Sequence, residues 1–224
     1  MKDIPFTIYD FLAYLSSGAV IVASLDYVFG YRWLLGPVGA SLALLLVLAA
    51  YIAGHAVAHF SSLAFERGLV KRVLGEPSLT LMDTAAPGRI RRFLFHGYYE
   101  PLPAGTRERV VAKARERGCN GTGKELFLHA RACVARDKAQ LDRLDLFLNL
   151  YGFSRNVSFA LLCAALLGLS GLFLTPTYIS PWWLVTVALA AVMMLYRYLK
   201  FFREYSLQVF TTYAELEDSA EDTQ

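Results

Sequence analysis

Apolar positions in this chain gather in long runs toward its two ends, and polar positions fill the middle. Four runs are long enough to cross about 30 Å of hydrocarbon, which takes about 20 helical residues. The first is Thr7 to Phe29, with Asp10 and Asp26 near its ends. The second is an uncharged run from Trp33 to Phe65, the third is Val157 to Leu174, and the fourth is Trp182 to Tyr196. The connections Gly30 to Gly36 and Thr175 to Pro181 are rich in Gly or Pro and read as tight turns. The pattern predicts an all-α integral membrane protein. Its four transmembrane helices form two hairpins, with a helical cytoplasmic insert between helices 2 and 3.

As one helix the second run would be roughly 50 Å long, more than a bilayer needs. Starting at Pro37, which suits a first helical turn, the span is complete near Val57. Ala58 to Val70 is then expected to leave the membrane as a helical stalk. The predicted organisation is a first hairpin over 1–65, an insert over 66–155, a second hairpin over 156–203 and a tail over 204–224.

Composition agrees with the runs: 56% of the 224 residues are hydrophobic, 18% are charged, and mean hydropathy is +0.40. These values exclude a soluble globular domain, a disordered chain and a small disulfide-stapled scaffold. The net charge of +3 hides two opposed fields. Glu66 to Arg155 carries 17 basic and 10 acidic residues, a balance of +7. Glu204 to Gln224 carries six acids and no base, a balance of −6, and reads as a solvated end.

Basic residues near span ends set orientation. The short connections hold only Arg32, whereas Lys2, Arg67, Lys71, Arg72, Arg155, Arg197, Lys200 and Arg203 lie on the other side. The protein is therefore expected in an inner membrane with both termini cytoplasmic. Tyr31, Trp33, Tyr178, Trp182 and Trp183 would form the far-side aromatic belt. The first segment reads as a retained span, because Met1 to Asp10 has one Lys and two Asp, a poor start for a signal peptide.

Within the insert, Thr106 to Arg117 predicts a basic helix closed by Gly118. Gly123 to Tyr151 predicts a longer one with a seven-residue apolar repeat that Asp137 interrupts. Four of the eight prolines fall between Gly75 and Pro103, which reads as a loop-rich connector.

The chemistry-bearing groups are few. Gly118 to Lys124 matches GxxxxGK, but a phosphate-binding loop needs a following Ser or Thr and a preceding strand. Here Glu125 follows and a charged helix precedes, so Thr122 and Glu125 are read as a capping box. His55 and His59 share one helix face and are weak metal candidates, since a site needs three or four ligands. Asp26 is expected to pair with Arg32 at the far surface. Arg89, Arg91, Arg92, Phe93 and Phe95 combine cations with aromatics and suit contact with lipid or another anionic ligand. Gly152, Phe153 and Arg155 read as an elbow joining the insert to the third span. Cys119, Cys133 and Cys163 lack CxxC spacing and fit structural thiols.

No catalytic constellation emerges, and no cofactor is expected. The outline of two hairpins around a basic insert resembles the small accessory membrane proteins found with bacterial defence and signalling modules, and implies a scaffold or effector. The expected function is non-enzymatic: the insert binds a cytoplasmic protein or ligand and couples it to an oligomeric bundle. Glycines 18, 39, 54, 168 and 171 would allow close helix contacts between copies. Anionic headgroups are the other expected partner, ahead of nucleic acid. The competing reading is a membrane metalloenzyme, transporter or channel using His55 and His59.

Overall fold

The computed structural model describes residues 8–34, 36–82, 88–174 and 179–216. Helices are α1 (Ile8–Phe29), α2 (Ala40–Ser61), α3 (Pro77–Thr80), α4 (Arg89–Leu94), α5 (Ala104–Glu116), α6 (Lys124–Val134), α7 (Lys138–Leu174) and α8 (Pro181–Glu215). A wider helix with i to i+5 bonding continues α2 over Ser62–Leu74, and a 3₁₀ turn spans His96–Tyr99. Strands are absent among the described residues. Four helices are long and apolar enough to cross a membrane, as the sequence pattern predicts. Tyr178 of the expected aromatic belt lies outside the described residues. So do Lys2, Pro87 and four of the six tail acids, Glu217, Asp218, Glu221 and Asp222.

The described residues form two compact units. The first comprises 8–69 and 149–198. Its interior holds small and polar side chains, among them Ser17, Ala50, Ser158 and Ala164, while Leu44, Leu166, Phe173 and Met193 are exposed. This is the arrangement expected in lipid, where close packing of small residues replaces hydrophobic exclusion between helices. Helices α1 and α2 meet at glycine: a Cβ on Gly18 would stand 1.7 Å from the Ala50 carbonyl oxygen, and one on Gly54 1.9 Å from that of Tyr14. Gly168 faces Trp183 and Leu184, and Gly171 faces Ile179 and Val28. Four of the five glycines read as inter-subunit contacts are thus used inside one chain; Gly39 has open space around it.

The second unit comprises 70–148 and 199–216. Its buried core takes Val110 and Ala114 from α5, Ala130 and Val134 from α6, and Leu144 from α7. Helix α8 adds Tyr205, Val209, Phe210 and Tyr213. The segment from Glu204, expected to be a solvated end, is therefore helical through Glu215 and carries part of the core. Its side chains at 205, 209 and 213 recur every four residues and so share one helix face. Lys113 donates to the Leu216 carbonyl, and Arg203 Nη2 donates to the Glu100 carbonyl at 2.9 Å.

Two helix boundaries also differ from expectation. The single helix over Gly123 to Tyr151 is divided at 135–137, where Asp137 Oδ1 accepts from the Ala139 N–H at 2.9 Å. The charge that interrupted the heptad is thus a cap that starts α7. Gly152, Phe153 and Arg155, read as an elbow, lie within the one helix α7, and the missing Cβ of Gly152 would meet nothing within 4 Å. The connector from Gly75 to Pro103 contains α3, α4 and the 3₁₀ turn. Tyr98 and Tyr99 of that turn are buried and donate to the carbonyls of Gly75 at 2.7 Å and Leu74 at 2.9 Å. Burial, with the neighbouring Tyr99 and Glu76, holds the Tyr98 hydroxyl far above the ordinary phenol range. Burial raises Tyr99 as well, against a lowering contribution from Arg91.

Candidate functional site

The most developed polar cluster lies in the first unit, where the continuation of α2 meets α7. Arg155 pairs with Glu66, and the Tyr151 hydroxyl donates to the same carboxylate. Arg155 Nε donates to Ser61 Oγ at 3.1 Å and to Asn156 Oδ1 at 3.2 Å, while Ser61 Oγ donates to Asn156 Oδ1 at 2.9 Å. Ser62 Oγ completes the set on Glu66 at 3.2 Å. The Arg155 side chain is only 14% exposed and Glu66 25%. A guanidinium that far from water needs this density of acceptors, because a buried charge without partners is strongly unfavourable. Arg155 was legible in the sequence as a cation beside the third span. Its partners were not: Glu66 precedes it by 89 residues, and no local spacing links them. The cluster ties the continuation of α2 to α7 through an ion pair and shared hydroxyl bonds.

Asp26 is buried, but its expected pair with Arg32 is not formed. The carboxylate instead accepts the backbone N–H groups of Trp33 at 2.7 Å and Leu34 at 3.3 Å. Arg32 is exposed and holds a left-handed backbone, φ +60°. The turn brings N–H groups that have no helical partner onto the acid, and charge-assisted bonds to them replace the ion pair. Around this end of the unit, Tyr31 stacks on Trp33 at 4.5 Å and Tyr27 meets Trp183 at 4.8 Å.

His55 and His59 are both exposed on α2. The His55 ring stacks on Tyr14 at 4.2 Å and meets Tyr51 edge-on at 4.7 Å. Among the described residues, no group of three or more His, Cys, Asp or Glu is placed to hold a metal.

The glycine-rich loop borders a cavity of about 410 Å³ in the second unit. Its walls include Arg107, Val111 and Arg115 of α5, Cys119 and Gly121 of the loop, and Leu126 of α6. The loop follows a helix that ends on Gly118 at φ +77°. The Cys119 N–H bonds the Ala114 carbonyl at 2.8 Å and the Gly118 N–H that of Arg115 at 3.0 Å, the Schellman pattern. The capping box is not made: Gly123 occupies the N-cap of α6 with φ +60° and no side-chain cap bond. Glu125 lies over Gly121, where an added Cβ would stand 2.3 Å from its carboxyl carbon. An acid in that place, without a preceding strand, is the opposite of a phosphate cradle.

Helix α4 is the remaining cluster. Ile90 is 75%, Phe93 85% and Leu94 51% exposed, and none of the helix residues is buried. Arg91 Nη1 donates to the Val73 carbonyl. Of the five residues read as an anionic-ligand contact, Arg89, Arg91, Arg92 and Phe93 stand on this helix, whereas Phe95 is half-buried just beyond it. Ile90 and Leu94 join Phe93 among its exposed side chains.

Comparison with protein families, curated proteins and solved structures finds no significant match. The architecture defines a class, an all-helical chain with four helices fit to span a membrane and a separate polar unit.

Proposed function

We propose that this protein is a non-enzymatic multi-pass membrane scaffold or effector. Its polar unit faces the cytoplasm, binds a partner protein or ligand, and couples that event to an assembly of the spans. The observation that carries this reading is the composition of the polar unit's core. Helix α8 supplies the fourth candidate span and also buries Tyr205, Val209, Phe210 and Tyr213 in that core. A partner that orders or loosens the polar unit acts on a helix that continues into the membrane segment. Differential stabilisation of two states is all that such coupling requires.

The test is site-specific photocrosslinking in cells from the exposed Leu128 and Leu146, combined with light scattering of the purified full chain. One discrete heterologous adduct and a mass that is a multiple of the chain's are expected. A strictly monomeric protein that yields no adduct from either position overturns the proposal.

A further inference from the structure

We propose that α4 is a membrane-surface contact, inserting Ile90, Phe93 and Leu94 into the headgroup region of an anionic bilayer. At 3.6 residues per turn, these three side chains occupy an arc about 100° wide on one side of the helix. Arg89 borders the arc on one edge and Arg91 on the other. Arg92 lies farther round, on a stem long enough to reach back toward a surface. From Gly88 to Tyr99 there is no acid. Three large apolar side chains left in water on six residues mark an interaction face, and their cationic border names the occupant. A surface of lipid phosphates takes Arg89 and Arg92, Arg91 being bonded to the Val73 carbonyl, while the acyl boundary takes the apolar arc.

Two further observations favour lipid over a protein partner. The sequence leaves the wide helical continuation of α2 at Leu74, so only 14 residues separate Arg89 from Leu74. Chain connectivity thus keeps α4 at a high effective concentration near any bilayer holding the spans. The same helix is fixed to its own unit through the Arg91 to Val73 bond and the buried Tyr98 and Tyr99 that follow. It presents the apolar arc without needing to fold on contact.

The experiment uses the full-length protein in nanodiscs of phosphatidylcholine alone or mixed with phosphatidylglycerol. It follows tryptic cleavage after Arg89, Arg91 and Arg92 and hydrogen exchange over residues 88–95. With two arginines free to meet headgroups, cleavage is expected to slow on the order of thirtyfold in the anionic discs. High salt should shrink the difference, and the variant Ile90→Ser with Phe93→Ser, exposed sites that leave the core intact, should abolish most of it. Equal rates in both disc types overturn the proposal. So does protection that survives in the double variant, or protection in neutral discs that grows with protein concentration, which would assign the face to a second copy.

Discussion

At the scale of single residues, glycines separate into those the packing requires and those it does not. Gly18 and Gly54 let two backbones touch, and even one methyl group on either would strike a carbonyl oxygen. Gly152 sits mid-helix with open space where its side chain would be. Gly152→Ala should therefore raise stability by about 0.5–1 kcal/mol, the ordinary helix cost of glycine, whereas Gly18→Ala should lower the melting temperature sharply. Thermal unfolding in detergent reads both, and a loss of stability in Gly152→Ala would show that this position needs glycine. The tyrosines of the 3₁₀ turn predict a pH response. Folding raises both hydroxyls above the unfolded value of about 10. Their contribution is therefore complete below pH about 10 and is lost as pH climbs from there toward the folded values. Denaturation curves of wild type and Tyr98→Phe/Tyr99→Phe should diverge at neutral pH by about 1 kcal/mol per lost bond and converge in alkali. Much of this scale was hidden from sequence. Asp26 stood out as an ionisable group in an apolar run, and Arg32 was its nearest cation. What decided its partners was the φ and ψ of the turn, which presents two N–H groups.

At the scale of elements, the four helices long and apolar enough to span were legible because uncharged length alone marks them. The ends were not, since a helix stops where caps and tertiary contacts say. Asp137 looked like a flaw in a heptad and is a cap. The end of α8 is the larger case. In the sequence Arg197, Lys200 and Arg203 mark a close to the fourth span, and six acids read as a solvated tail. Only Glu204 and Glu215 of those acids lie among the described residues, and between them Tyr205, Val209 and Tyr213 keep helical spacing. That signal was present but was outweighed by net charge. The segment's place in the core predicts a severe effect of change there. Phe210→Ala should destabilise the polar unit by about 3–5 kcal/mol, the usual cost of emptying a buried aromatic site. Truncation after Glu204 should expose residues 104–148 to rapid proteolysis in the membrane-bound protein. Survival of that region in the truncated chain would show that α8 is not needed for the core.

At the scale of the whole molecule, the shared core constrains topology independently of charge. Residues 70–148 and 199–216 build one buried cluster, so the proposed membrane topology has to keep both on one side of the bilayer. The chain between them must then cross an even number of times, which the two apolar helices α7 and α8 satisfy as a hairpin. In the proposed topology the charge distribution adds the direction, because the cations near the span ends fall on this side and the opposite turns hold only Arg32. Reporter fusions after Glu100 and at the C-terminus are therefore expected to agree with each other and to read as cytoplasmic. Fusions after Arg32 and after Pro176 should read as external. The two arguments fail separately. If all four fusions invert together, the core survives and the positive-inside assignment falls. If the Glu100 and C-terminal fusions disagree, the α8 side chains are not in the core of residues 70–148, and the coupling of partner binding to the spans through α8 falls with them.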